Sequence, residues 1–214
     1  MRDSARPSPP PSARDKLIDA AAHVIRARGY SGTRVEDICA AAGLTKGGFF
    51  HYFDSKEACA IAAASRFAEN ADALFDAAAY SRLSDPRDRV LGYVDFRKAI
   101  LTGELPEFTC LLGTMAQEAY DTHPAIRAAC DRYLREHATR LEADIAEAKE
   151  RYAPDAGWTP ASAALFAQAV LQGGFVLAKA SHGAEVAADC LSHLRRYFEH
   201  LLGTDSDQAG RNAQ

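Results

Sequence analysis

Apolar positions along this chain recur at helical spacing, and no stretch alternates in the manner of a strand. Leu17, Ile18, Ala21, Val24 and Ile25 form a first stripe, opened by Ser12 as a cap and closed at Gly29. Thr33 with Glu36 reads as a capping box for a short helix whose apolar face is Val35, Ile38, Ala41 and Ala42. Gly43 stops that helix, because a residue without Cβ adopts the left-handed conformation a helix end needs. Leu44 plugs the turn and Thr45 caps a second helix, which has room for about two turns before Asp54 and Ser55. Ser55 then caps a long helix to about Ala79.

Further helices are predicted from Asp85-Pro86 to about Thr102, from Thr109 to Tyr120, from Pro124 to about Tyr152, from Thr159-Pro160 onward, and from about Ala184 to Leu202. GELPEF and PDAGWTP read as connections. The predicted fold class is all-α. A three-helix head with a helix-turn-helix (residues 13–58) precedes a larger helical domain (59–203), with flexible tails expected at 1–12 and 204–214. The long helix after Ser55 is the covalent rod between the two parts, so its tilt can carry a signal.

The second short helix, KGGFFHY, is a poor helix on its own terms. Gly47 and Gly48 each cost up to about 1 kcal/mol relative to alanine. Its rings are too many for one core face, so Phe49 and Phe53, four apart, are expected inside and Phe50, His51 and Tyr52 not all so. Glycine in a first turn lets a backbone approach another surface closely, and Thr45, Lys46, His51 and Tyr52 offer polar tips there. Two short helices at a tight glycine-containing turn form a unit whose second helix fits the DNA major groove. The plainer alternative is an aromatic plug in a helical core.

Residues 13–60, with RDKLIDAAAHVIRARGYSGTRVEDICAAAGLTKGGFFHYFDSKEA in one uninterrupted run, resemble the DNA-binding domain of the TetR family of bacterial transcriptional regulators. That family's Y-x-Y-F-x-x-K-E ending stands here as Phe50-His51-Tyr52-Phe53-Asp54-Ser55-Lys56-Glu57, with Phe50 replacing the usual tyrosine. The missing hydroxyl suggests apolar contact at Phe50, for example with a thymine methyl. The resemblance implies a homodimer with two reading helices on a palindromic double-stranded operator, and a small-molecule effector that releases it. Activation instead of repression stays open. The DNA-contacting residues expected are Thr33, Arg34, Thr45, Lys46, Gly47, Gly48, Phe50, His51, Tyr52 and Lys56, the last as a phosphate clamp at a helix N-terminus. Arg2, Arg6 and Arg14 could brush phosphates, though a solvated arm is the simpler reading.

With 214 residues, 48% hydrophobic and 25% charged, the chain can bury a real core. Its net charge of −4 does not by itself suggest a nucleic-acid binder. Residues 1–57, however, hold nine Lys/Arg against seven Asp/Glu, leaving a mildly basic head on an acidic body. Cys39, Cys59, Cys110, Cys130 and Cys190 are scattered, odd in number and without a CxxC pair, as expected of reduced thiols in the cytoplasm. No signal-peptide pattern opens the chain.

Residues 160–178 carry no charge up to Lys179, a length that raises a membrane span. Ser162, Gln168, Gln172 and the many alanines point instead to burial between the body and a twin subunit. The family's last two helices pair in this way, so the expected dimer interface is Phe166, Val170, Gly173, Gly174, Leu191, Leu194 and Phe198. The effector pocket is expected among the middle helices, lined by Phe67, Phe75, Tyr93, Phe96, Phe108, Cys110, Met115, Gln117 and Phe175, although such spacing also fits plain core. Cys110, at a predicted helix start in PEFTCLLGTMAQE, sits where backbone N–H groups favour a thiolate. That segment resembles family members that sense electrophiles or oxidants; a buried inert cysteine is the alternative.

No catalytic motif, cofactor or metal site is evident, so the chain reads as a regulator and not an enzyme. Cys190 and His193 are taken as two independent residues on an interface helix and not as metal ligands. The competing function is a helical ligand-binding or enzymatic protein with a vestigial helix-turn-helix.

Overall fold

A computed structural model describes residues 11–203. Among them lie ten α-helices and no strand: α1 (Ala13–Arg28), α2 (Val35–Ala42), α3 (Lys46–Tyr52), α4 (Lys56–Ala77), α5 (Pro86–Ala99), α6 (Leu105–Phe108), α7 (Leu111–Ala119), α8 (Pro124–Tyr152), α9 (Pro160–Ser181) and α10 (Glu185–Leu202). The expected tails, with Arg2 and Arg6, fall largely or wholly outside the described residues. A short 3-10 turn, Ala79–Arg82, ends the α4 segment, and α6 occupies the stretch read as a plain turn.

Most boundaries follow the local signals. Ser12 Oγ accepts from the Asp15 backbone N–H while the Asp15 carboxylate accepts from the Ser12 N–H, a complete capping box. Gly43 is left-handed (φ 66°), with its N–H on Ala40 O and the Leu44 N–H on Cys39 O, a Schellman end. The start of α2 differs from expectation. Arg34 is the N-cap, and its backbone N–H reaches the Asp37 carboxylate at 2.8 Å. Thr33 is buried instead, its hydroxyl donating to Gly29 O at 2.6 Å.

Two apolar cores hold the chain. The first joins Leu17, Ile18, Ile25, Ile38, Phe49 and Phe53 of the head to Cys59 and Ala63 of α4, and also to Leu111, Met115 and Ala119 of α7 and Ile126 of α8. The second lies within the body, around Phe75, Val90, Val94, Leu141, Ile145, Leu171, Leu191, Leu194 and Phe198 from α4, α5, α8, α9 and α10. The head therefore does not close on itself. It shares a core with α7, a connection between head and body that no local pattern announced.

Candidate DNA-reading helix, effector cavity and dimer face

On α3, Thr45 caps the helix by accepting from the Gly48 N–H at 3.1 Å. Phe49 and Phe53 turn inward and are fully enclosed, whereas Phe50 and Tyr52 are 49% and 41% exposed and His51 is also exposed. A Cβ built on Gly47 or Gly48 would meet nothing nearer than Thr45 Oγ1, at 3.9 and 3.5 Å. Nothing inside the chain demands either glycine; they keep the outer backbone bare. Arg34 is exposed next to this face, and the Lys46 ammonium meets Glu36 at 2.7 Å in a solvent-exposed pair that a stronger anion can displace.

Two expected DNA contacts lie elsewhere. Thr33 faces inward, as its hydrogen bond requires. Lys56 is half-buried: its ammonium donates to Tyr30 O and Thr33 O, both at 2.9 Å, and lies 4.1 Å from the Tyr30 ring centroid. Burial lowers its pKa. This lysine braces the α1–α2 loop against α4, because two carbonyls without helical partners stand within its reach.

Between α4, α7, α8 and α9 lies a cavity of about 320 Å³. Of the expected lining residues it is bordered by Phe67, Phe75, Phe108, Cys110 and Phe175, together with Arg26, Arg97, Leu112, His137, Gln168 and Gln172. Four expectations are corrected. Met115 is fully buried in the head core, and Gln117 is exposed, its amide donating to Gly113 O at 3.0 Å. Tyr93 is buried in the wall of a smaller recess, where its hydroxyl meets His137 Nε2 at 3.0 Å. Phe96 stacks on Phe75 and Tyr80 outside the cavity lining. His137, shared by both recesses, is held neutral: burial and then the Arg97 guanidinium push its pKa down to about 3.

Cys110 is the N-cap of α7, its Sγ accepting from the Gly113 N–H at 3.4 Å. It is half-buried and borders the cavity. Arg26 and Lys179 both lie in electrostatic range of it, and the Lys179 ammonium donates to Thr114 Oγ1 at 2.6 Å. Burial pushes the Cys59 and Cys130 thiols up to about 12, which keeps them protonated. Among the described residues no group of three or more potential ligands is arranged for a metal, and Cys190 and His193 have no such third partner.

The dimer expectation divides. Leu191, Leu194 and Phe198 are buried in the body core, so they are not a surface. Gly174 is buried too: its Cα faces Ala187, where an added Cβ would stand 3.5 Å from the Ala187 Cα, so the close approach it permits is between α9 and α10 of one chain. Phe166 and Gly173 remain exposed and Val170 half-buried, and around them Leu165, Val176, Leu177 and Tyr197 stand bare as well. By length and a mean hydropathy of 1.5 this helix could cross a membrane, but its other side packs into the second core.

An all-helical chain with an exposed glycine-bearing reading helix and a separate cavity has the architecture of a ligand-responsive DNA-binding regulator. Residues 17–63 match the family described as bacterial regulatory proteins, tetR family, and residues 86–194 match the tetracyclin repressor-like C-terminal domain. The chain belongs to the TetR family of DNA-binding transcriptional regulators. It is 24% identical over 182 residues to the HTH-type transcriptional repressor NemR of Escherichia coli strain K12, covering 85% of this chain and 92% of that one. It is 49% identical over 45 residues to the HTH-type transcriptional repressor DhaR of Mycobacterium sp. strain GP1, a match that spans 21% of this chain and 23% of that protein. The reduced form of E. coli NemR superposes with a TM-score of 0.73 over 86% of this chain and 95% of NemR, at 24% identity. A TetR regulator from Chloroflexus aurantiacus gives 0.75 over 86% and 93%, at 26% identity.

Proposed function

We propose that this protein is a homodimeric, sequence-specific repressor that leaves a palindromic operator when a small molecule enters the body cavity. Residues 13–58 act as the DNA-binding unit and 59–203 as the effector and dimerisation unit. The observation that carries the reading is the outer face of α3: two glycines that nothing inside the chain requires, beside exposed Phe50, His51 and Tyr52. Thr45, Lys46, Gly47, Gly48, Phe50, His51, Tyr52 and Arg34 meet DNA, with phosphates supplying affinity and base edges supplying choice. Dimerisation through the bare faces of α9 and α10, at Leu165, Phe166, Val170, Gly173, Val176, Leu177 and Tyr197, sets two reading helices roughly 34–36 Å apart for successive major grooves. An effector that binds the splayed arrangement better draws the population away from DNA. The protein works by binding, not by catalysis, in the cytoplasm where its operator lies.

Fluorescence anisotropy with labelled duplexes from the surrounding genome tests the reading. Affinity must be sequence-selective and fall steeply with salt, since neutralised phosphates release counterions. Salt-indifferent or absent binding would instead support a ligand-binding protein with a vestigial head.

Cys110 adds an electrophile-sensing version of the same reading. It caps a helix, borders the cavity and lies near two cations; the similar NemR structure is described as a reduced form. An alkylating reagent with mass mapping decides this version. Loss of operator binding while Cys110 stays unmodified rules it out.

A further inference from the structure

Arg26 projects from α1 into the wall of the body cavity. Its Nε is sealed from solvent and has no hydrogen-bond partner. Among the described residues no carboxylate lies within ion-pair distance of the guanidinium, and the Phe67 ring centroid is 5.3 Å from its central carbon. Burial lowers its pKa, and Cys110 and Glu107, which lie in electrostatic range without bonding to it, offset only part of that. A charge drawn out of water is ordinarily paired, because desolvation without a partner is costly.

Of the three acids bordering the same cavity, Glu136 is exposed to solvent and the other two have partners elsewhere. Glu107 accepts from the Glu104 backbone N–H at 2.7 Å and packs against Gly103. Asp72 lies 3.5 Å from Arg140. Arg97, the other cation of the cavity, is occupied by the Tyr93 hydroxyl and His137. The remaining wall is largely apolar, and Gln168 brings a buried amide to it. At about 320 Å³ the space lies at the small end of ligand pockets.

We propose that this cavity takes a small organic acid as its carboxylate, with the Arg26 guanidinium as counter-ion and an aromatic or aliphatic body against Phe67, Phe108 and Phe175. The inference rests on reading the cavity as the effector site and names the chemistry of what enters it. A carboxylate completes the hydrogen-bonding of a planar guanidinium, and the rings bury the apolar remainder.

Thermal-shift and calorimetric titrations of the full chain with benzoate, cinnamate and hexanoate, each against its neutral amide, test it. At least one acid raises Tm and binds at least tenfold tighter than its amide. Arg26→Met erases that preference in a protein that still melts cooperatively; should it fail to fold, Arg26→Lys must keep the preference. Absence of binding by all three acids, equal binding of acid and amide to the wild type, or a preference surviving in Arg26→Met overturns the proposal. An acid that binds through Arg26 yet leaves operator affinity unchanged upholds it and overturns the effector reading. Operator release by neutral molecules alone does the reverse.

Discussion

Replacing both glycines of α3 by alanine sets folding against function. Gly47 and Gly48 are the second and third residues of the helix, and neither is among the residues with positive φ. The added methyls would lie 3.9 and 3.5 Å from Thr45 Oγ1, ordinary contact distances, so the fold accepts both. In a helix interior glycine costs up to about 1 kcal/mol relative to alanine. In the first turn, where the backbone is less constrained, about 0.5 kcal/mol each is the better figure, or about 1 kcal/mol together. For a chain of this size that raises Tm by about 2–4 °C, read by circular dichroism without DNA. On the proposed reading the same methyls would stand where the bare backbone meets the groove, so operator affinity by anisotropy should fall at least tenfold, about 1.4 kcal/mol. A stabilised variant that binds DNA as well as the wild type would refute the reasoning about close approach. A destabilised one would refute the reasoning about open space.

Lys56→Ala removes two charge-assisted hydrogen bonds to loop carbonyls and should cost about 1–2 kcal/mol in urea unfolding. The salt slope of DNA binding stays unchanged, whereas a fall of about one would mark a lost phosphate contact. Leu177→Glu places a charge on the exposed apolar face of α9, and light scattering should show monomers; a persisting dimer would place the interface elsewhere. His137 titrates near 6.5 when unfolded but near 3 when folded, so the unfolded state binds more protons between those values. Stability is therefore full above pH 6.5 and declines toward pH 3 by up to about 1.4 kcal/mol per unit. His137→Asn flattens that decline between pH 6.5 and 5, and equal slopes would contradict a buried neutral imidazole. Glu118→Ala removes the carboxylate that accepts from the Ser31 N–H at 2.8 Å. It should leave operator binding intact while reducing the drop caused by effector; an undiminished drop would show that the contact carries no signal.

The helix-turn-helix and the inward rings at Phe49 and Phe53 were legible because caps, glycines and spacing of four are local signals. The start of α2 was not. Thr33 with Glu36 and Arg34 with Asp37 offer the same spacing, and the choice is made by Gly29 O, which takes the Thr33 hydroxyl. The bracing role of Lys56 is hidden from local pattern for a similar reason, since its partners Tyr30 and Thr33 come from the loop before α2. Periodicity marks apolar faces on α9 and α10 without saying which are bare, so it does not separate the buried Leu191, Leu194 and Phe198 from the exposed Leu165, Leu177 and Tyr197. Arg26 and His137 reach one cavity from helices far apart in the chain, and nothing in either local pattern marks them.

The shared first core bears on how a ligand signal travels. Phe67 of α4 and Leu112 of α7 border the same cavity, and both helices run from there into contact with the head. At its far end α7 places Glu118 against Gly29 and the Ser31 N–H. Across its nine residues the helix spans about 13 Å and transmits displacement as a rigid unit. On the proposed effector reading, a ligand wedged between α4 and α7 would move the head from two points at once, through the covalent rod and through the α1–α2 loop. Close-packed interiors resist gradual deformation, so such a push favours a second discrete packing of head on body. On that reading the size of the response is bounded by how much better the ligand binds the second packing, and Phe67, Leu112 and Cys110, which border the cavity on α4 and at the start of α7, are where the discriminating contacts would be made.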